Sequence, residues 1–163
     1  MKRIPFVLKT TILIVILGVI LGILSTSTIN KSDIIFEYND KNKVMIFINN
    51  FCYNYFYLFI IWLLGFINVG IIFTIFITFF KSFIEGVGFA IIIKTYSLYG
   101  VIEFLKLKIF ELIFIIPVLI FISYSSISKS INNNNLNNNQ DYIKKLFIMT
   151  FVIVIYAIFK SLL

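Results

Sequence analysis

The sequence contains no histidine, one cysteine and few charges, with only 13% of its residues charged. Histidine is the usual general base and the commonest protein ligand for metals, so its absence excludes a Ser-His-Asp arrangement and disfavours a metal site. The single cysteine, Cys52, cannot form an internal disulfide, and no nearby residue in the sequence supplies it with a base. We therefore predict a protein that is not an enzyme and that has no catalytic residues, no metal and no cofactor.

Acidic residues are also scarce, with 7 against 14 lysines and arginines. Of those outside the polar segments, Glu103 and Glu111 are the pair that a single helix face could bring together. A catalytic site with paired carboxylates would need the two groups at close range. We favour the interpretation that these glutamates are interfacial charges that flank a membrane span. The lysines lie between apolar runs, which is typical of orienting charge at a lipid surface. We expect membrane lipid as a partner, no nucleic acid and no small-molecule substrate.

Apolar residues are abundant and make up 61% of the 163 residues. A soluble domain of this size buries only about 70% of the surface that its unfolded chain exposes, so a large apolar patch would remain in water. Lipid removes this problem because it is itself apolar. Apolar runs of about 20 residues, enough to cross a bilayer core of about 30 Å, recur along the chain. The sequence predicts an all-α, polytopic membrane protein with about five transmembrane helices.

The composition changes along the chain and divides it into segments. Residues 1–28 form an N-terminal transmembrane anchor, and residues 29–52 form an external loop or an interfacial helix. Residues 53–124 form a helical membrane core, residues 125–146 a mobile, polar, asparagine-rich loop, and residues 147–163 a C-terminal transmembrane helix. The basic start predicts a cytoplasmic N-terminus, and an odd number of spans then places the C-terminus outside.

The apolar run of residues 55–80 has two interpretations. In one, a single tilted helix crosses the membrane and ends at Lys81, so that no charge lies deep. In the other, the chain breaks between Gly65 and Gly70 and a new helix continues beyond Glu85. We favour the break, because Lys81 and Glu85 then lie four residues apart on one helix face, where they can pair. From the sequence alone, both interpretations stay open.

Small residues and buried charges mark candidate sites of helix packing or partner contact. Gly18 and Gly22 form a GxxxG step, whose bare face admits either an internal or an external helix. Pro117 predicts a kink inside an apolar helix. A charge within a span costs at least about 2.5–3.5 kcal/mol, so Lys81 and Glu85 require a pairing, a water-filled groove or a partner protein. The full set of candidates is Gly18, Gly22, Gly65, Gly70, Lys81, Glu85, Gly86, Gly100 and Pro117.

Several short motifs follow one another in a defined order over roughly residues 45–163. They are Trp62-Leu63-Leu64-Gly65, Gly70, Phe80-Lys81-Ser82-Phe83-Ile84-Glu85-Gly86, Tyr99-Gly100, Ile116-Pro117 and Ser123. In this order and spacing the chain resembles the stage II sporulation protein M family, with the N-terminal span also in place. The chain departs from that family in its short length and in Ser82, where the family pattern has glycine. The family often has polar residues before its Ile-Pro pair. Here Leu107–Ile115 takes their place, and Glu111 is the one candidate left for such a polar position.

The resemblance implies a non-enzymatic integral membrane scaffold in the mother-cell membrane, at the septum and the engulfing membrane of an endospore-forming bacterium. It also implies partners, namely the membrane-anchored peptidoglycan hydrolases called stage II sporulation proteins D and P. The scaffold would gather them for septal wall thinning and engulfment. The residues alone leave an alternative, a small transporter or permease component in which the break at 65–70 and the charges at 81–94 line a pathway.

Overall fold

The computed structural model of the chain describes residues 3–28, 42–131 and 137–162, with side chains for 6–27, 42–94, 110–131 and 139–162. This part of the chain contains helices and turns and no strand. The helices are α1 (Arg3–Ser25), which ends in a 3-10 turn (Thr26–Thr28), α2 (Lys43–Leu64), α3 (Gly70–Phe110), α4 (Ile116–Ile131) and α5 (Asn137–Leu162). A π-helical turn, Glu111–Ile115, joins α3 to α4. The predicted all-α class is confirmed.

Each of these helices contributes a segment long and apolar enough to cross a membrane. The segments are Phe6–Ser25, Lys43–Leu64, Gly70–Lys94, Glu111–Ile131 and Asn139–Leu162. Large apolar side chains such as Phe6, Ile72 and Phe147 lie on the outside of the bundle, each more than two-thirds exposed. Such a surface is unfavourable in water and suits lipid. The chain is therefore a multi-pass membrane protein, and the predicted number of about five spans is confirmed.

Helix α3 packs along α1 in a parallel arrangement. Gly18 lies against Ser82 near the middle of this contact. Further along both helices, the ammonium group of Lys94 reaches the carbonyl oxygen of Thr26. The residue numbers increase together along the two helices, so α1 and α3 cross the bundle in the same direction.

Helix α4 packs antiparallel to α3 on another side. Thr74 contacts Ser126, and Thr78 contacts Ser123, so residue numbers rise on one helix as they fall on the other. α2 and α5 complete the bundle, and their apolar side chains share a core with those of α1 and α4. The fully or nearly fully buried members of that core include Val15, Leu58, Ile61, Ile115, Leu119, Ile122, Ile153 and Tyr156.

The long apolar run is interrupted between α2 and α3. α2 ends at Leu64, a tight turn follows, and α3 begins at Gly70. A side chain at Gly70 would collide with the carbonyl oxygen of Leu64, so the close return of the chain requires a glycine. Ser130 fastens the turn from α4, because its hydroxyl donates to the carbonyl oxygen of Ile67 at 2.6 Å. The structure thus has the two-helix arrangement.

α2 differs from the expected segment boundaries because it begins at Lys43. The helix is continuous through residues 52 and 53, where a loop or interfacial helix was expected to give way to the membrane core. It contains no glycine or proline to break it. The side-chain nitrogens of Asn50 and Asn54 donate to carbonyl oxygens four residues earlier, at 2.8 and 2.9 Å, so each amide NH₂ group has a partner within the helix. The other expected loop residues, 29–41, lie outside the described residues.

The mobile polar loop expected over residues 125–146 is largely helical instead. α4 continues to Ile131 and α5 begins at Asn137, while residues 132–136 lie outside the described residues. The composition of this stretch was misleading because its serines face the bundle interior, where Ser126 and Ser130 are buried and hydrogen-bonded. A buried hydroxyl that bonds to a neighbouring helix no longer needs water, so a serine-rich stretch can pack as a helix.

Candidate functional site

A lysine ammonium group lies deep in the bundle and is enclosed by groups that stabilise it. Lys81 is 1% exposed, and its Nζ donates to Oε1 of Glu85 at 2.6 Å. The same Nζ lies 4.2 Å from the ring centroid of Tyr53 and 5.3 Å from that of Tyr57. A carboxylate and two aromatic faces therefore replace the water that the ammonium group loses. We call these four residues the lysine cage.

Helical periodicity positions the lysine cage. Lys81 and Glu85 are separated by one turn of α3, and Tyr53 and Tyr57 by one turn of α2. Each pair therefore presents its side chains on one face, and the two faces meet. The sequence suggests that the tyrosines near the start of the apolar run lie at the membrane interface. Two of them, Tyr53 and Tyr57, cover a buried cation.

The space beside the lysine cage is small. Lys81, Tyr57 and Asn54 line a cavity of about 10 Å³ together with apolar side chains of α2, α4 and α5. A volume of this order holds about one water molecule, not a substrate. Asn54 is buried, and its side-chain oxygen receives no hydrogen bond from the described residues. The described residues also contain no group of three or more His, Cys, Asp and Glu side chains that could hold a metal ion.

Hydroxyl groups join α3 to α4 next to the lysine cage. The hydroxyls of Thr74 and Ser126 lie 3.1 Å apart, and those of Thr78 and Ser123 lie 2.7 Å apart. Thr78 and Ser82 also lie in bonding distance of carbonyl oxygens one turn earlier in α3. All five residues are buried. In lipid, such bonds between helices are an important source of association, because no hydrophobic force drives the helices together. We call this set the hydroxyl contact.

Glycines join α1 to α3 along another face of α3. A methyl group added at Gly18 would lie 2.8 Å from the carbonyl oxygen of Phe79, and one added at Gly22 would collide with the carbonyl oxygen of Phe83. The relation is reciprocal, because a methyl group at Gly86 would collide with the carbonyl oxygen of Val19. The GxxxG step of α1 therefore faces an internal helix. We call this set the glycine contact.

Lys94 fixes the end of the glycine contact. Its ammonium group donates to the carbonyl oxygens of Thr26 and, at 3.0 Å, of Ser27. These carbonyls lie at the C-terminal end of α1, where the last turns of a helix leave acceptors without intrahelical partners and carry partial negative charge. The lysine thus caps α1 from α3.

Gly65 and Pro117 lie away from these contacts. A methyl group at Gly65 would collide with the hydroxyl of Tyr142, which donates to the carbonyl oxygen of Trp62 at 2.6 Å. Pro117 is exposed and is the second residue of α4. Because proline has no N–H, it cannot donate to Ile113, and the π-helical turn occurs at this point in place of regular α-helix.

The structure brings the sequence candidates into three places. Gly18, Gly22 and Gly86 meet in the glycine contact, Lys81 and Glu85 pair in the lysine cage, and Gly65 and Gly70 flank the turn before α3. Gly100 lies in α3 among residues whose side chains lie outside the described part. The hydroxyl contact is not among the sequence candidates, although its residues recur at helical spacing. These residues are Thr74, Thr78 and Ser82 on α3 and Ser123 and Ser126 on α4.

A comparison with protein families gives a match along nearly the whole chain. The model of the family described as stage II sporulation protein M matches residues 10–163. No curated protein and no solved structure matches the chain. The matched family is the one that the order of short motifs resembles, and the matched region contains the lysine cage, the hydroxyl contact and the glycine contact.

Proposed function

The chain belongs to the stage II sporulation protein M family, and we propose that it is a non-enzymatic membrane scaffold used in endospore formation. In this proposal it gathers membrane-anchored peptidoglycan hydrolases, the stage II sporulation proteins D and P. They would thin the septal wall in the mother-cell membrane and so allow engulfment. The observation that carries the proposal is the family match over residues 10–163, together with the multi-pass helical bundle.

The way the bundle uses its polar groups supports a structural role. The ammonium group of Lys81 binds Glu85 and lies over tyrosine rings, and that of Lys94 binds backbone carbonyls. The buried hydroxyls of α3 lie in bonding distance of α4. These groups hold helices in fixed positions, which is what a protein that presents partners to one another requires.

The proposal includes an orientation in the membrane. With the N-terminus in the cytoplasm, the turn between α2 and α3 and the ends of α4 and α5 that meet it are also cytoplasmic. Lys129, Lys144 and Lys145 lie at that end of the bundle, which agrees with the preference of cytoplasmic ends for positive charge. The opposite end, where Lys94 caps α1, then faces the cell wall on which the hydrolases act.

A transporter receives less support from the same geometry. That alternative needs the charges of residues 81–94 to line a pathway through the membrane. The cavity beside Lys81 holds about 10 Å³, and the lysine is 1% exposed. We therefore favour the scaffold.

The first experiment is to delete the gene in its sporulating host and to image the septal membrane with a lipid dye. We expect cells to stall with a flat or bulging septum that is not engulfed. The intact gene should restore engulfment, and so should the matched control Phe151→Leu, which changes a lipid-facing side chain. A Gly86→Val variant should not, because its side chain collides with α1. Normal engulfment without the gene would refute the proposal and make substrate flux in reconstituted vesicles the next measurement.

A second experiment tests the partners. A fluorescent wall hydrolase is followed in sporulating cells with and without this chain, and the chain is purified from the same membranes. We expect the hydrolase to collect at the septum and to co-purify only when the intact chain is present. Equal recruitment of the hydrolase in cells that lack the chain would contradict the scaffold.

A further inference from the structure

The small cavity beside the lysine cage brings together two polar side chains from different helices. Asn54 lines it from α2 and Lys81 lines it from α3. Tyr57 and a set of apolar side chains, among them Val118 of α4, complete the wall. Its volume is about 10 Å³. We call it the interior cavity.

Asn54 supplies a hydrogen-bond acceptor to the interior cavity. The residue is 5% exposed, and its Nδ2 donates to the carbonyl oxygen of Asn50 at 2.9 Å. This bond fixes the orientation of the amide, because the side-chain oxygen in the same place would face another acceptor. The oxygen, Oδ1, has no hydrogen-bond partner among the described residues. A buried carbonyl oxygen without a donor is unfavourable, so this position requires a donor.

Lys81 supplies donors. Its ammonium group has three N–H bonds. Among the described residues, its hydrogen-bond partner is Oε1 of Glu85 at 2.6 Å, and the ring of Tyr53 covers another side of Nζ at 4.2 Å from the centroid. One carboxylate oxygen and one ring face therefore leave a donor of the ammonium group for the interior cavity.

The size and the chemistry of the interior cavity together select its occupant. A volume of about 10 Å³ is that of one water molecule. A cation there would lie beside an ammonium group, and an anion would lie beside the amide oxygen of Asn54. Water is both an acceptor and a donor, so it satisfies both side chains. We infer that the interior cavity binds a single water molecule, which accepts a hydrogen bond from Nζ of Lys81 and donates one to Oδ1 of Asn54.

This water joins α2 to α3 inside the bundle. It gives the ammonium group of Lys81 a partner on another helix, in addition to Glu85 on its own helix. A water that bridges two polar groups is nearly as favourable in enthalpy as a direct hydrogen bond. The inference does not depend on the scaffold function, because it concerns the folded chain alone.

The direct test is nuclear magnetic resonance of the full chain, purified in bicelles in ordinary water. Rotating-frame Overhauser spectra distinguish a bound water from chemical exchange, because the two give cross-peaks of opposite sign. We expect a bound-water cross-peak at the side-chain NH₂ protons of Asn54. The backbone amide of Ile61 is the matched control and should give none, since Ile61 is on the same helix, is fully buried and does not line the cavity.

Two variants test where the signal comes from. Tyr57→Phe removes the hydroxyl from the cavity wall and keeps the ring, so the cross-peak should persist. Val118→Ile adds one methylene to the wall, and we expect it to displace the water. The cross-peak should then disappear and the melting temperature should fall, because Oδ1 of Asn54 loses its donor. Val44→Ile adds the same methylene on the exposed side of α2 and should leave both unchanged.

Several outcomes would overturn the inference. One is a spectrum of the unmodified chain with no cross-peak at Asn54, or with an exchange cross-peak alone. Another is the loss of the cross-peak in Tyr57→Phe, which would assign the signal to the hydroxyl. A cross-peak that persists in Val118→Ile would place the water outside the interior cavity. A higher melting temperature of Val118→Ile would show a dry cavity, since filling such a cavity stabilises a protein.

Discussion

The two sides of α3 join their neighbours in different ways. Toward α1, the glycine contact brings backbones so close that a single methyl group at Gly22 or Gly86 has no room. Toward α4, the hydroxyl contact keeps side chains between the helices and joins them by hydrogen bonds such as that between Thr78 and Ser123. Because lipid provides no hydrophobic force between helices, shape is decisive on one side and polar pairing on the other. The first contact should fail when an atom is added, and the second when a partner is removed.

The largest effect should come from removing the charge on the polar side. Lys81→Met removes the ammonium group that pairs with the largely buried carboxylate of Glu85, and we expect the free energy of unfolding to fall by about 3–5 kcal/mol. The measurement is the unfolding free energy of the purified protein in bicelles, obtained by steric trapping. The double variant Lys81→Met/Glu85→Leu should recover most of the loss, because a well-packed apolar pair can replace a buried ion pair. If the double variant were as unstable as Lys81→Met, the loss of stability would have a cause other than the broken ion pair.

The next effect should come from adding one atom to the glycine contact. Gly86→Ala gains up to about 1 kcal/mol in helix propensity, but its methyl group meets the backbone of Val19, which cannot move aside cheaply. We expect a net loss of about 1–3 kcal/mol in the same unfolding measurement. Leu21→Ala on the outer face of α1 is the control and should change stability by less than about 0.5 kcal/mol. A stabilised Gly86→Ala would show that the close approach of α1 and α3 is not maintained.

A smaller effect should follow removal of one hydroxyl from the polar side. Ser123→Ala deletes one side of the pair with Thr78, and we expect a loss of about 0.6–1.7 kcal/mol. In the Ser123→Ala variant, Thr78→Val should cost less stability than it does in the unmodified protein, because the hydrogen bond between the two side chains is already absent. Additive losses in this double-mutant cycle would indicate that the two hydroxyls act independently, and the contrast with the glycine contact would then weaken.

The smallest effect should come from the cap at the end of α1. Lys94→Met removes the positive charge at the carbonyl oxygens of Thr26 and Ser27, and we expect about 0.3–1 kcal/mol of lost stability. The loss should be local, so amide hydrogen exchange should quicken at the last turn of α1 and stay unchanged in α5. Faster exchange throughout the bundle would mean that the lysine holds more than the end of α1.

The sequence predicts the class of the fold and favours its main interruption, because both depend on local properties. The length and apolarity of the runs indicate spans, and Gly65 and Gly70 indicate a break. The ion pair between Lys81 and Glu85 can be recognised in the sequence because both residues lie on one helix, four positions apart. The sequence places Ser126 and Ser130 in a loop because their polarity is visible locally, whereas their partners, Thr74 and the carbonyl of Ile67, come from distant parts of the chain. The aromatic cluster that includes Tyr53 and Tyr57 is likewise visible in the sequence. Its contact with Lys81 is not, because the tyrosines are on α2 and the lysine is on α3.

The position of Glu85 also bears on how the chain enters the membrane during synthesis. A lone lysine in the centre of an emerging helix costs about 2.5–3.5 kcal/mol when the translocon releases that helix into lipid. A counter-ion on α4 or α5 would not yet have been translated at that moment. Glu85 follows Lys81 by one turn, and its Oε1 accepts a hydrogen bond from the lysine ammonium group at 2.6 Å. α3 therefore carries its own counter-ion into the bilayer. The tyrosines of α2 have already been made by then and can cover the pair as soon as α3 leaves the translocon.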